Sequence, residues 1–193
     1  VADCTGHGVP GAFVSMLGVS FLNEIVNKNK VSSAANVLND LRLAVKETLR
    51  QTGKYGESKD GMDVALCIID IKQNKLQFAG AYNPLYLIRN KQLTEIKADK
   101  MPIGIYIREK ESFTNHELEI QSGDNIYLFS DGFVDQFGGE KGGKFKTRPF
   151  KSLLIDNSHK SMSDQGIILD QVFNDWKGSY EQLDDVTVIG IKI

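Results

Sequence analysis

Three short motifs place aspartates beside turns, where carboxylates can bind a metal ion or act as catalytic acids. The first, residues 3–11, reads Asp-Cys-Thr-Gly-His-Gly-Val-Pro-Gly and joins a predicted strand end to a helix start. Ser130-Asp131-Gly132 directly follows the apolar stretch 126–129, and Asp184-Asp185 directly precedes the apolar segment 186–193. Each motif alone is also ordinary turn chemistry. The presence of an aspartate at three predicted strand ends outweighs that simpler interpretation and indicates one shared site.

Aspartate oxygens are hard ligands that suit Mg²⁺ or Mn²⁺ more than zinc. Phosphate monoester hydrolysis is among the slowest uncatalysed reactions, so an enzyme for it needs a covalent nucleophile or water activated by a metal. A cysteine-dependent phosphatase needs arginine six positions after its nucleophile, but Pro10 follows Cys4 and Gln73 follows Cys67 at that distance. The Asp-x-Asp pattern of an aspartyl nucleophile is also missing from the strand ends. Metal-activated water is the route that remains.

The composition argues against several other functions. With 23 basic and 25 acidic residues the net charge is −2, without the cationic field that binds nucleic acids or anionic membranes. The longest uninterrupted apolar run, 64–69, is far shorter than the roughly 18 to 20 residues of a membrane-spanning helix. Cys4 and Cys67 lack the spacing of a zinc site or a disulfide framework, which favours a reducing compartment. We therefore expect a soluble, cytoplasmic protein with no nucleic-acid partner and no direct membrane insertion.

Helical periodicity predicts three helices. Apolar residues crowd several faces of the segment Pro10–Asn27, so this helix is expected to be buried on most sides. The second helix carries an amphipathic stripe over 34–49, and Ser32 or Ser33 is expected to cap it. The third covers 161–177 and presents apolar residues at the helical spacing that is typical of core packing.

Alternating apolar residues and turn signals predict three hairpins and a closing strand. The predicted hairpins are 64–71 with 75–81, 85–89 with 92–96, and 116–120 with 125–130, and the closing strand is 186–193. The lysine- and glycine-rich stretch 138–146 is expected to be a mobile surface loop. Two helices, three hairpins, a helix and a last strand predict an α+β arrangement of antiparallel sheet with helices packed outside, and argue against a parallel doubly wound sheet.

The motifs together resemble those of the SpoIIE-type branch of the metal-dependent (type 2C) serine/threonine protein phosphatases. Residues 3–8 with Gly11-Ala12 are similar to the family's Asp-x-x-Gly-His-Gly turn, and the two later motifs follow in the family's order. The stretches 80–84 and 102–104 are similar to secondary landmarks of the family, without a catalytic role. The resemblance covers nearly the whole chain. It implies an α+β fold built as a four-layer αββα sandwich, with two antiparallel sheets flanked by helices.

The resemblance also implies roles for the acidic residues. Asp3 would bridge two divalent ions, Mn²⁺ or Mg²⁺, and the main-chain carbonyl of Cys4 would complete one coordination shell. Asp131 and Asp184 would hold the other ion. Asp185 stands where relatives often carry asparagine, so it is expected to support the site, and the roles of this adjacent pair stay interchangeable.

His7 invites two interpretations. The ordinary imidazole pKa of about 6.5 permits proton donation to a serine leaving group. Its offset from Asp3 differs from that of the histidine in the eukaryotic relatives, so a structural role is expected first. The family also carries an earlier Gly-Asp motif on strands that this sequence lacks. Residues 1–193 are therefore expected to be a phosphatase catalytic domain without its first strands, which binds the second metal weakly and hydrolyses slowly.

The implied activity is hydrolysis of phosphoserine or phosphothreonine on a bacterial signalling partner by metal-activated water. In this family the substrate is often an anti-sigma-factor antagonist of the STAS type, and an upstream sensor domain is expected in the full-length protein. Two other functions stay open at this point. One is a catalytically impaired regulatory or binding module of the same fold, and the other is a small-molecule phosphohydrolase that uses the same centre.

Overall fold

The chain folds into two compact units, each with its own sheet, helices and apolar core. The computed structural model describes residues 1–6, 8–28, 33–54, 57 and 59–193. The first unit comprises Val1–Leu85 and Lys97–Ile120, and the second comprises Tyr86–Ile96 and Gln121–Ile193. The combination of helices with antiparallel sheets confirms the predicted α+β class.

Within the described ranges the elements mostly begin and end within two residues of the predicted bounds. In chain order they are β1 (Ala2–Cys4), α1 (Gly8–Lys28), α2 (Ala34–Thr48), β2 (Met62–Asp70), β3 (Lys75–Ala81), β4 (Leu85–Arg89), β5 (Gln92–Ile96), β6 (His116–Glu119), β7 (Asn125–Phe129), α3 (Gly132–Asp135), β8 (Phe137–Gly138), β9 (Gly143–Lys144), α4 (Thr147–Asn157), α5 (Met162–Lys177) and β10 (Val188–Lys192). Strands β4 and β5 agree with the prediction at both ends.

The first unit contains a four-stranded antiparallel sheet in the order β1-β2-β3-β6. The predicted β2–β3 hairpin is confirmed, with Val64 opposite Ala81. Helix α2 presents its amphipathic stripe to the core of this unit. Ser33 caps it, since the side chain accepts a 3.2 Å hydrogen bond from the Asn36 N–H. The alternative cap, Ser32, lies outside the described residues.

The expectation that α1 is buried on most sides is wrong. Val14 and Ile25 pack into the core of the first unit, but Phe13 and Met16 are 63% and 70% exposed. The helix contacts α2 and β1, which is enough to bury one face of a helix that carries apolar residues on several. Apolar composition shows what a helix is able to bury, whereas the neighbouring elements decide what it does bury.

In the described ranges one helix is long and apolar enough to span a membrane, judged by length and composition alone. It covers Gly8–Asn27, has a mean hydropathy of 1.5 and is 22% buried. Glycine and serine interrupt the apolar residues of this segment, so it contains no long uninterrupted apolar run. Its hydropathy averaged over the helix is nevertheless high. The core helix of a soluble protein and a signal sequence meet the same criterion, so the finding is weak evidence for a membrane.

The second unit contains a four-stranded sheet in the order β10-β7-β4-β5, together with α3, α4 and α5. Aromatic rings fill its core: the Phe133 ring centre lies 5.1, 4.9 and 5.2 Å from those of Phe145, Phe150 and Phe173. Tilted and edge-to-face pairs of this kind stabilise a core beyond the area they bury. Helix α5 begins directly after its N-cap, Ser161, which confirms the third predicted helix.

The predicted hairpin of 116–120 with 125–130 does not form. β6 pairs with β3 in the first sheet, whereas β7 pairs with β10 in the second. The turn between them is real, because the carboxylate of Asp124 accepts a 2.8 Å hydrogen bond from the Gln121 N–H. A turn signal shows that the chain reverses, but contacts with distant segments decide the partner of each strand.

The stretch 138–146 contains a short strand pair and is anchored to the core of the second unit through Phe145, which corrects the prediction of a loop. Strands β8 and β9 pair with each other, and Phe145 is buried with its ring centre 5.4 Å from that of Trp176. Helix α4 follows directly and was not predicted, because only two of its side chains are buried and its apolar stripe is short. Glycine and lysine content indicated a loop, while the single aromatic residue that anchors the segment gave too weak a signal.

An ion pair beside the β6–β7 turn makes the second unit sensitive to acid. Arg89 donates hydrogen bonds of 2.8 and 2.7 Å through Nε and Nη2 to Asp124, whose side chain is 1% exposed. These bonds hold the pKa of Asp124 below its ordinary value. The stabilisation they provide is therefore present above about pH 4, the unfolded-state pKa, and is lost as pH falls through the lowered pKa of the folded state.

We expect Asp124→Asn to lower the free energy of unfolding by about 1–3 kcal/mol at neutral pH, because it removes the charged partner of Arg89. The same change should flatten the loss of stability between about pH 5 and pH 2. Asp156→Asn, at an exposed position of α4, is the control and should do neither. Urea denaturation across this pH range measures both quantities, and an unchanged pH dependence in Asp124→Asn would contradict the assignment.

Candidate metal centre

Strand pairing places a second carboxylate opposite Asp3. In the β1–β2 ladder Asp3 lies directly across from Asp63, one position before the pair Cys4–Met62. Opposite residues of an antiparallel ladder point to the same face, with Cβ atoms about 4.5–5.5 Å apart. Both aspartates are half-buried. Asp63 is therefore a candidate site residue that the sequence analysis missed.

The other face of these two strands is apolar. Met62 and Val64 belong to the core of the first unit, and alternation along the strand sends Asp63 to the opposite side. The sequence did contain a signal, since an acid interrupts the apolar residues at the start of β2. A single acid in that place becomes informative only when the register pairs it with Asp3.

The geometry of β1 directs the main-chain carbonyl of Cys4 away from β2. Val1 exchanges both ladder bonds with Ala65, each 2.9 Å, and the Thr5 N–H donates to the Gly61 carbonyl at 2.9 Å. Cys4 occupies the alternate position, whose N–H and C=O point outward, and β1 is the terminal strand among those described. The Cys4 side chain packs against the core, and burial raises the pKa of its thiol. The carbonyl oxygen, rather than the sulfur, is the atom available to a cation.

A glycine-rich turn connects Asp3 to the N-terminus of α1. Gly6 and Gly8 have φ angles of 87° and 66°, in the left-handed region that favours glycine. A Cβ atom on Gly11 would lie 2.6 Å from the Gly6 carbonyl oxygen, so the helix folds back on the turn only with glycine at this position. His7 lies outside the described residues. Its structural and general-acid roles both stay predictions.

Asp131 and Asp184 come together in the second unit. Asp131 directly precedes α3, and its carbonyl accepts a 2.9 Å hydrogen bond from the Asp135 N–H. Asp184 lies in the segment before β10, and its carboxylate offers an oxygen within 4.8 Å of one on Asp131. The Asp185 N–H donates a 2.8 Å hydrogen bond to Asp184 Oδ1, so Asp185 orients its neighbour through the main chain.

Main-chain contacts hold the two aspartate segments side by side. The Ser130 N–H donates to the Thr187 carbonyl at 3.0 Å, and Ser130 Oγ accepts from the Thr187 N–H at 3.1 Å. Ser130 Oγ also donates to the Asp185 carbonyl at 3.1 Å. A Cβ atom on Gly132 would collide with that carbonyl oxygen, so only glycine permits the approach. In Ser130-Asp131-Gly132 the serine joins the segments, the aspartate presents its carboxylate, and the glycine leaves room.

The acidic pair is electrostatically suited to a cation. Burial raises the pKa of Asp131, and the charges of Asp135 and Asp184 raise it further. Lys144 opposes this effect, and its Nζ lies 2.8 Å from Asp135 Oδ2. A divalent ion would relieve the remaining repulsion, and carboxylate oxygens are the donors that Mg²⁺ and Mn²⁺ prefer. The donor set of the second unit therefore fits such an ion.

The two secondary landmarks flank Asp63 in the first unit. Ile103, in the second landmark, exchanges main-chain hydrogen bonds of 3.0 and 2.8 Å with Met62. In the first landmark Tyr82 has a φ of 59°, and the buried Nδ2 of Asn83 has no hydrogen-bond partner in the part of the chain that the structure describes. A left-handed non-glycine residue and an unsatisfied donor both cost free energy, and such features cluster at functional sites.

Comparison with known families identifies the group to which this arrangement belongs. The family described as Stage II sporulation protein E (SpoIIE) matches the chain over residues 1–193. The chain belongs to the SpoIIE family. This confirms the resemblance drawn from the motifs, and it makes the chain a phosphatase domain of PP2C type by family and by fold. No curated protein matches the chain.

Solved structures of SpoIIE-family and related domains share the fold. The SiaA-PP2C domain of Pseudomonas aeruginosa is 29% identical, with a TM-score of 0.88, and the match covers 100% of this chain and 74% of that one. The PP2C phosphatase domain, with a fragment of the regulatory domain, of SpoIIE from Bacillus subtilis is 20% identical, with a TM-score of 0.72 and coverage of 100% and 53%. The catalytic domain of the serine threonine protein phosphatase PstP, in complex with 2 manganese ions, is 16% identical, with a TM-score of 0.66 and coverage of 98% and 84%.

The glycine of the Ser-Asp-Gly motif provides a test of the geometry in this SpoIIE-family domain. Gly132→Ala places a methyl group against the Asp185 carbonyl and must push the two aspartate segments apart. We expect the free energy of unfolding to fall by about 1–3 kcal/mol. We also expect weaker Mn²⁺ binding. Chemical denaturation and isothermal titration calorimetry measure the two effects.

Gly166→Ala is the matched control, because its methyl group meets open space on the exposed side of α5. It should raise the free energy of unfolding by about 0.5–1 kcal/mol and leave Mn²⁺ affinity unchanged. Wild-type Mn²⁺ affinity in Gly132→Ala would show that the close approach of the two segments does not shape the metal centre.

Proposed function

We propose that the chain hydrolyses phosphoserine and phosphothreonine esters on a bacterial signalling protein, with divalent ions held by Asp3, the Cys4 carbonyl, Asp131 and Asp184. The observation that carries the proposal is the pair Asp131 and Asp184, whose oxygens lie within 4.8 Å in a chain that matches the SpoIIE family throughout. The neighbour PstP, with its 2 manganese ions, supports Mn²⁺ or Mg²⁺ as the cofactor.

The bound ions would supply activated water and neutralise negative charge on the phosphoryl oxygens. The residues of the chain set the position and charge of the centre. Ser130 and Gly132 hold the segments of Asp131 and Asp184 side by side through main-chain contacts. The carbonyl of Cys4 adds an oxygen donor without adding charge, which limits the repulsion among the carboxylates.

A direct attack by water agrees with the state of the two thiols. A covalent route through cysteine needs an accessible thiolate. Burial raises the pKa of both Cys4 and Cys67, so each thiol stays protonated near neutral pH. In the proposed reaction the bond from phosphorus to the serine oxygen breaks as the bond from phosphorus to the water oxygen forms. The attacking water releases a proton to the solvent. The serine oxygen leaves with a proton, for which His7 remains the predicted donor in one of its two roles.

The same proposal includes the extent of the domain, the cellular compartment and the substrate. We propose that residues 1–193 act as one catalytic domain and that the reaction takes place in the cytoplasm. We also propose that the substrate is a phosphorylated anti-sigma-factor antagonist of the STAS type. Membership of the SpoIIE family supports this choice of substrate. A regulatory module without turnover and a small-molecule phosphohydrolase are the competing functions, and the assays that follow separate them.

Asp131→Asn removes a charge from the proposed metal site with little change of shape. Turnover of a phosphoserine peptide in Mn²⁺ should fall by about 100-fold or more, because metal-based charge stabilisation contributes several kcal/mol. Mn²⁺ affinity should fall as well. Asp156→Asn, in the same unit, is the control and should keep both. Phosphate release and calorimetric titration provide the two readouts.

The wild-type chain decides between the competing functions in the same assays. Mn²⁺ binding without turnover of any phosphate ester would identify a binding module. Faster hydrolysis of ATP than of the phosphopeptide would identify a small-molecule enzyme. Either result would contradict the proposed activity.

Asp63→Asn tests whether the acid opposite Asp3 contributes to the same centre. We expect Mn²⁺ affinity to fall by about 10-fold, because Asp63 would act on the bound ion through its charge and through the position of Asp3. The loss should be smaller than that in Asp3→Asn, which removes a direct ligand. Asp40→Asn, at an exposed position of α2, is the control. Calorimetric titration with Mn²⁺ measures all three variants, and wild-type affinity in Asp63→Asn would exclude this role.

A further inference from the structure

A cationic cavity lies beside the second landmark in the first unit. Lys100, Met101, Tyr106, Arg108 and Lys110 line a cavity of about 280 Å³. Three of these five side chains are cations and none is an acid. The volume approaches the lower end of the range for ligand pockets, about 300 Å³, which suits a side chain rather than a large cofactor.

The cavity keeps its positive charge because no acidic residue of the same segment lines it. Glu109 forms a 2.8 Å ion pair with a lysine of α2. Asp99 is buried, and its carboxylate accepts a 2.6 Å hydrogen bond from Lys110 Nζ. Lys110 is thereby partly neutralised, so Lys100 and Arg108 contribute most of the positive field at the cavity.

Contacts with α2 hold the cavity wall in place. Arg42 donates hydrogen bonds of 3.0 and 2.7 Å to the carbonyls of Lys110 and Glu111. Met101 is 1% exposed, and its Sδ accepts a 3.2 Å hydrogen bond from the Lys110 N–H. A site that is formed before binding loses less conformational entropy than a loop that must become ordered. The cavity is therefore built into the unit.

Tyr106 connects the cavity to the face that carries Asp3 and Asp63. It lines the cavity, and its ring centre lies 6.3 Å from that of Tyr82 in an edge-on arrangement. A hydrogen bond to Tyr106 and the nearby charge of Asp63 contribute to raising the pKa of Tyr82 to about 12. In the β2–β3 ladder the residue before Tyr82, Ala81, lies opposite the residue after Asp63, Val64. The Tyr82 ring contacts Tyr106 in the cavity wall. An extended peptide advances about 3.3 Å per residue, so a substrate that follows the tyrosine pair from the Asp3 face enters the cavity with a residue on one side of its phosphoserine.

We propose that this cavity binds an acidic side chain of the phosphoprotein substrate, a glutamate or aspartate within a few residues of the phosphoserine. The proposal rests on the proposed phosphatase function and specifies its substrate class. Lys100 and Arg108 pair with the carboxylate, and Ile107, 92% exposed in the same segment, offers apolar contact to the peptide beside it. Charged contacts of this kind provide specificity more than affinity.

A set of phosphoserine peptides tests the proposal. Each peptide carries one glutamate at a different position on either side of the phosphoserine, and an otherwise identical peptide carries glutamine throughout. With Mn²⁺ bound, we expect one glutamate position to raise kcat/KM by about 3- to 10-fold over the glutamine peptide, mainly through KM. The preference should shrink at high salt, because exposed charge pairs are screened.

Variants of the cavity residues test whether the preference for glutamate arises in the cavity. The double change Lys100→Gln and Arg108→Gln should remove the preference for glutamate, whereas the matched double change Lys72→Gln and Lys97→Gln, at exposed lysines outside the cavity lining, should retain it. Arg108→Glu should reverse the preference when the same peptide position carries lysine. Equal kcat/KM for all peptides in the wild type, or an unchanged preference in the cavity variant, would overturn the inference.

Two further measurements separate this inference from the proposed function. Hydrolysis of para-nitrophenyl phosphate by the wild-type chain reports on the catalytic centre alone, since this substrate has no carboxylate for the cavity to bind. Fluorescence anisotropy of the labelled peptides reports on binding alone. Glutamate-dependent binding without any hydrolysis would support the cavity while contradicting the phosphatase. Hydrolysis without any dependence on glutamate would support the phosphatase while overturning the cavity.

Discussion

Carboxylates that lie within a few ångströms of one another repel, so the pair Asp131 and Asp184 depends on forces that act outside the two side chains. In the second unit those forces are main-chain contacts. Ser130 bonds to both Asp185 and Thr187, and Gly132 lets the Asp185 carbonyl approach α3. The residue that follows, Phe133, lies among the aromatic rings of the core. Hydrophobic packing thereby stabilises an arrangement that the charges alone oppose.

In the first unit a strand pair holds two carboxylates close together. Met62 and Val64 are buried on one face of β2, and the two-residue period of the strand then leaves Asp63 on the other face. Pairing with β1 brings Asp3 opposite Asp63. The free energy of burying the apolar face sets the register, and the acidic face follows from it. In both units, residues that stabilise the core also orient the acidic residues.

Local patterns predicted local structure well and contact partners poorly. The helix α5 and the hairpin β4–β5 follow from periodicity and turn residues within short segments. The strands β6 and β7 have equally clear patterns, yet they join different sheets, because the bonds that choose their partners come from β3 and β10. The apolar residues of α1 are evident in the sequence. The sequence does not show how much of the helix surface α2 and β1 cover. The packed stretch 138–146 depends on contacts of the Phe145 ring with Phe133 and Trp176 and on main-chain hydrogen bonds, and no periodicity signals contacts of this kind.

The sequence by itself predicted which residues carry the chemistry, and it determined which family the chain resembles. Asp3, Asp131 and Asp184 occur in short motifs whose glycines and serine are required by turns and close main-chain approach, and such constraints act over only a few positions. The tertiary structure alone decided that Asp63 faces Asp3, that Asp185 bonds to Ser130, and that Lys100 and Arg108 share a cavity with Tyr106. The first two relations join segments far apart in the chain, and the cavity wall is held by hydrogen bonds from the distant helix α2. These relations arise from strand register and core packing, which depend on the whole fold and have no signature in any short stretch of sequence.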